Sequence, residues 1–197
     1  MSFSFARIAS LAALVAAGGC FNEPVPATET VPAANRVYLS DKALVEIPEV
    51  NPQADYLNLD RNRLTNAAPV AALTNLKWLR LNDNRLSELP DLSKLTLLRR
   101  IYLRNNRFTA VPATLKDLPA LTDIDMSGNT SLKEVPDWLA AKKGLKNLSF
   151  SRTQVTKLPE NLEAWKSLHS LQLGDLRIAP SEMARIRKAL PKTAIVF

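Results

Sequence analysis

The chain has 197 residues, 46% hydrophobic and 23% charged, with 26 Lys+Arg against 19 Asp+Glu and a formal charge of +7. That suffices for one domain with a real core, and the charged fraction is too ordinary for a disordered tail or a coiled coil. One cysteine (Cys20) and one histidine (His169) exclude an intramolecular disulfide, a CxxC redox pair and a three- or four-ligand zinc site.

Residues 1–19 read as an export signal. Arg7 supplies one positive charge, and Ile8 to Gly19 is a run of small and apolar residues too short for the ~20 that span a bilayer. Ala17-Gly18-Gly19-Cys20 resembles the lipobox of bacterial lipoproteins, in which the cysteine thiol is acylated and the chain is cut just before it. The resemblance departs from the usual pattern at Ala17, where Leu is common, and at Gly18. It implies a lipid anchor at Cys20 and, because Phe21 rather than Asp follows, placement at the outer membrane. Cleavage without acylation would instead leave a periplasmic or secreted soluble protein. Residues 20–35 hold three of the 13 prolines and two glutamates without hydrophobic periodicity, which predicts a stiffened tether.

From residue 36 to 197 the sequence repeats. Tyr56 to Leu64 (YLNLDRNRL), Trp78 to Leu86 (WLRLNDNRL) and Arg100 to Phe108 (RIYLRNNRF) align, and Asp123 to Asn129 follows as a further copy. Leu145–Phe150 and Leu168–Leu173 continue the series with Thr153 and Leu176 in the asparagine place, and Val37 and Leu39 open it. Pro48, Pro69, Pro90, Pro112, Pro136, Pro159 and Pro180 recur once per copy. Proline fixes φ and lacks a donor, so it belongs in return segments that need no ladder bond. Met183, Ile186 and Leu190 at helical spacing predict an amphipathic helix, and the apolar run after it a last strand.

This pattern, LxxLxLxxNxL, resembles the leucine-rich repeat family. It implies an α/β solenoid: a horseshoe of about six repeats plus caps, with parallel strands on the concave face, an irregular or short-helical convex side and a C-terminal helix cap. Asn62, Asn84, Asn106 and Asn129 form a structural ladder whose carboxamides satisfy backbone groups where the chain leaves each strand.

Strand alternation places the residues between core leucines on the concave face. One column is Arg36, Tyr56, Trp78, Arg100, Asp123, Asn147 and Ser170. The next is Tyr38, Asn58, Arg80, Tyr102, Asp125, Ser149 and Gln172, and the third runs Ser40, Asp60, Asn82, Arg104, Ser127, Ser151 and Gly174. Tyr38, Tyr56, Trp78, Arg80, Arg100, Tyr102 and Arg104 thus cluster in the N-terminal half. They form the expected partner-binding site, since Trp, Tyr and Arg dominate binding hot spots. Because Trp78 and Tyr102 point away from the leucine core, their replacement by Ala is expected to leave folding intact. Strand propensity alone also favours aromatics here. Trp165 is expected in the core and Trp138 on the convex surface; Arg63, Arg85 and Arg107 form a solvated rim.

No catalytic, metal or cofactor site is expected. His169 lacks a fixed acid and nucleophile around it, and Asp123 with Asp125 reads as a solvated acidic face. The expected function is a non-catalytic, lipid-anchored envelope protein, monomeric, that binds a partner protein; the family resemblance supplies the general expectation of protein binding. The alternatives are an acidic glycan such as lipopolysaccharide or peptidoglycan on the same Arg and aromatic patch, or a purely structural lipoprotein. Export argues against nucleic acid.

Overall fold

The computed structural model describes residues 35–197; the signal, Cys20 and nearly all of the tether lie outside them. Eight three-residue strands form one parallel sheet in chain order: β1 (Arg36–Tyr38), β2 (Tyr56–Asn58), β3 (Trp78–Arg80), β4 (Arg100–Tyr102), β5 (Asp123–Asp125), β6 (Asn147–Ser149), β7 (Ser170–Gln172) and β8 (Ala194–Val196). Every pairing is in the register that the repeats predict: Tyr56 lies opposite Trp78, Trp78 opposite Arg100 and Arg100 opposite Asp123. The fold is a leucine-rich repeat solenoid.

The strands are short because the chain turns out of each one on a left-handed residue. Arg61, Asp83, Asn105, Gly128, Arg152 and Asp175 all have φ between 51° and 71°. The amides of the first five prolong the ladder beyond the strands: Arg61 N–H donates to the Asn82 carbonyl at 2.9 Å and Gly128 N–H to the Ser151 carbonyl at 2.8 Å. Only one of these six positions is glycine, so the chain carries left-handed strain at the others.

The asparagines follow immediately and repair the ladder. The Asn106 Nδ2 donates to the carbonyls of Leu103 and Arg104 in its own repeat, each at 3.1 Å, and of Leu81 in the preceding one at 2.9 Å. Its Oδ1 accepts the Leu86 amide at 3.0 Å. Asn62, Asn84 and Asn129 make the equivalent bonds. Thr153, standing in this place, reaches only the Phe150 carbonyl at 2.7 Å and weakly accepts Val155 N–H.

Between sheet and convex side lies one continuous core of Leu, Ile, Val and Phe, from Leu57 to Leu190. Trp165 is fully buried and its indole N–H donates to the Leu139 carbonyl. Prolines open the convex turns, before Ala113–Leu115 and at the start of Ala68–Ala72, α1 (Asp137–Ala140) and α2 (Pro180–Ala189). Trp138, on α1, is half-buried against the core.

Helix α2 covers the end of the stack through polar bonds as well as through Ile186. The carboxylate of Glu182 accepts the Leu158 amide, and Arg185 donates to Glu182 and to the carbonyls of Leu158, Pro159 and Glu160. This pair closes the turn of the previous repeat, a role that helical spacing alone gave no reason to expect.

Replacing Asn106 with Ala leaves the buried Leu86 amide without a partner and takes one of two donors from each of the carbonyls of Leu81, Leu103 and Arg104, a loss of about 3 kcal/mol. Thermal unfolding should move down by ~6–12 °C, whereas Asn106→Thr, with the Thr153 geometry as precedent, should lose less. Gly128→Ala meets a positive φ and the Asn105 side chain, whose Oδ1 stands where the added Cβ would go. A cost of about 1 kcal/mol or more is expected in denaturant titration.

Candidate protein-binding face

Parallel in-register pairing sets equivalent side chains of neighbouring repeats about 4.8 Å apart, close enough for each to touch the next. On the concave face they do so without a gap. The Tyr38 ring lies 5.2 Å from that of Tyr56, and Tyr56 lies 5.9 Å from Trp78 in an edge-on arrangement. The guanidinium of Arg100 sits 4.3 Å from the centre of the Trp78 ring. Its Nε approaches the Asp123 carboxylate at 3.9 Å, and Asp123 accepts from Asn147 at 2.6 Å. One line of contacts therefore crosses β1 to β6.

A second line lies beside it. Arg80 stands 5.4 Å from the centre of the Tyr102 ring and pairs with Asp60 at 2.7 Å. The other oxygen of Asp60 accepts the Asn82 amide, and the Asn82 carbonyl oxygen of the side chain accepts the Arg104 amide. Asp60 thus fixes both a cation and the strand end. Its column position was visible in the sequence, but the coupling was not, because it depends on side chains 20 and 22 residues apart.

These contacts change the expected surface. All seven candidate residues lie on this face, yet Tyr56, Trp78 and Tyr102 keep only 7–8% of their area exposed, while Tyr38 keeps 57%. The neighbours in each column cover the rings edge to edge. Replacement of Trp78 or Tyr102 by Ala is consequently not neutral for folding, contrary to the sequence expectation; it removes a packed ring from a continuous row. Burial pushes the Tyr102 hydroxyl up to about 12, with Asp123 adding to the shift, and raises Tyr56 in the same way.

Asp123 and Asp125 do not form a solvated acidic face. Both are buried, Asp125 to 2% exposure. Asp123 is held by Asn147, Thr122 and Arg100, and one Asp125 oxygen accepts both the amide and the hydroxyl of Ser127. The narrow pitch of the sheet lets small polar neighbours close over the carboxylates. Among the described residues no group of three or more His, Cys, Asp and Glu is placed to hold a metal. His169 is exposed, and its hydrogen bonds run through its backbone, to Lys146 and Ala194. Arg63, Arg85 and Arg107 are exposed on the rim.

Comparison with known proteins agrees with this geometry. The sequence matches the leucine rich repeat family model over residues 52–108 and 74–130. A leucine-rich repeat protein of Leptospira interrogans is similar at 28% identity and a TM-score of 0.59, over 74% of this chain and 44% of that one. The functional domain of InlJ from Listeria monocytogenes shares the fold at 20% identity and a TM-score of 0.52, over 71% and 35% respectively. The InlJ domain includes a cysteine ladder; the single cysteine here precedes the repeats, and asparagine forms the ladder. This chain spans less than half the length of either protein. No curated protein matches the sequence. The matched segment thus carries leucine rich repeats on a leucine-rich repeat solenoid, an architecture that commonly serves as a scaffold for protein binding.

Burial raises the Asp125 carboxyl above its ordinary value, against the lowering pull of Ser127 and Arg104. The folded state therefore favours the protonated acid, and the stability this contributes at low pH is lost as pH rises through the folded value. Asp125→Asn keeps an oxygen for Ser127 and carries no charge. Its melting temperature should exceed that of the parent at pH 7, with the difference vanishing below about pH 4; a gap that widens on acidification would contradict the assignment.

Proposed function

We propose that this protein is a non-catalytic, exported lipoprotein, anchored at Cys20 in the outer membrane, which binds a partner protein through the N-terminal half of its concave face. The carrying observation is the pre-packed row Tyr38, Tyr56, Trp78 and Arg100, flanked by Arg80, Tyr102 and Arg104. Rings and guanidinium groups already held by their neighbours lose little side-chain entropy when a partner docks. The fold supports the reading because these residues line one continuous sheet, and leucine-rich repeat proteins commonly bind protein partners. Tyr38 is the open end of the row and, among the described residues, the most exposed aromatic side chain.

Tyr38→Ala removes the exposed ring without uncovering the leucine core. In affinity capture from envelope extract it should lose the partner retained by the parent, by ~10-fold or more for a hot-spot tyrosine, while Trp138→Ala on the convex side retains it. Equal capture by both variants would remove the concave face from the proposal. Mass spectrometry of the native N-terminus tests the anchor separately: a diacylglyceryl group on Cys20 is expected, and an unmodified Cys20 or a different first residue would contradict it.

A further inference from the structure

We propose that the partner presents an acidic polypeptide segment to this face, with the guanidinium groups of Arg100 and Arg104 as its carboxylate receptors; this rests on the concave-face reading above and adds the partner's chemistry. With Tyr56, Trp78 and Tyr102 nearly covered, the groups left at the surface of the N-terminal half are chiefly Tyr38 and the half-buried arginines. The ring beneath Arg100 holds its charge in place, and a guanidinium carries five N–H donors and no acceptor. What it can still bind is an acceptor, best a carboxylate.

The three arginines are not equally occupied. Arg80 spends its charge on Asp60 at 2.7 Å. Arg100 reaches Asp123 only at 3.9 Å, and the oxygens of Asp123 already accept from Asn147 and Thr122. The Nε of Arg104 is buried and has no hydrogen-bond partner. Asp125, which feels the Arg104 charge, gives one oxygen to the two donors of Ser127. With its Nε covered and unbonded, the half-buried Arg104 gains nothing from that donor inside the protein and has its remaining guanidinium donors to offer a bound carboxylate.

The spacing and the sign pattern select the ligand. Arg100 and Arg104 lie on the same side of one extended segment, four residues and about 13 Å apart along the backbone. An extended peptide with acidic side chains four residues apart matches that interval. A uniformly anionic polymer fits less well: the arginines end at β4, and Asp123 and Asp125 occupy the next strand, followed by neutral Asn147, Ser149, Ser170 and Gln172. A continuous row of negative charge would find no arginine on those strands and would lie over the two buried carboxylates, whereas a polypeptide can place a neutral residue there.

The test is fluorescence anisotropy of the full-length protein with a short dye-labelled peptide carrying two Glu four residues apart, its Gln counterpart, and dextran sulfate as competitor. The Glu peptide should bind at least ~10-fold tighter than the Gln peptide, and Arg100→Gln and Arg104→Gln should each weaken it ~10-fold or more. Arg63→Gln on the rim should leave affinity unchanged, and Arg104→Gln should melt at the parent temperature. Equal binding of both peptides, indifference to Arg104→Gln, or no peptide binding overturns the proposal; displacement by dextran sulfate at lower concentration than by unlabelled Glu peptide overturns it in favour of a glycan. If Tyr38→Ala weakens the peptides while both arginine variants do not, the carboxylate receptor falls and the concave face stands.

Discussion

The structure depends on one interaction, the insertion of an asparagine carboxamide where each of the strands β2 to β5 ends. A three-residue strand cannot hold its register by its own few bonds, and the chain leaves it through a strained left-handed residue. The carboxamide ties the carbonyls of two consecutive repeats together with one amide of the earlier repeat. It therefore fixes the offset between repeats as well as the turn. Since a one-residue slip in a strand exchanges its two faces, this polar ladder is what keeps the leucines in the core and the variable residues out of it.

Register in turn creates the face. Once equivalent positions are stacked at the pitch of a sheet, the concave residues become neighbours whatever their distance in sequence, and their mutual contacts follow from residue type. In β1 to β4 the neighbours are aromatic rings and arginines, which pack on one another. In β5 to β7 they are carboxylates, amides and hydroxyls, which bond along their own strand and, from Asn147 to Asp123, across to the next. The face is polarised along the solenoid axis, and its cationic end is the one whose hydrogen-bonding capacity is incompletely used.

Much of this was legible in the sequence. Strand positions, register, the asparagine ladder, the convex prolines and the closing helix all follow from a period that each repeat restates, so that the copies check one another. What was not legible depends on distances between copies. The exposure of Trp78 and Tyr102, the burial of Asp123 and Asp125 and the double duty of Asp60 are set by the side chain one repeat away, which no single repeat reveals. The left-handed column escaped notice for a different reason: only Gly128 among its seven positions, Asp41 included, has the residue type that signals a positive φ, because ladder bonds hold Asp41, Arg61, Asp83, Asn105 and Arg152 there. The Glu182 and Arg185 pair was hidden by an ordinary amphipathic spacing in which both read as solvent-facing.

The central claim, that the N-terminal concave face meets a protein in the envelope, is tested most directly by photo-crosslinking in living cells. A photoreactive benzoylphenylalanine is placed at position 38, on the open end of the aromatic row, or at position 138, on the convex side. The account predicts a discrete protein adduct from position 38 and none from position 138. Adducts from position 138 alone, or the same adducts from both, would contradict it.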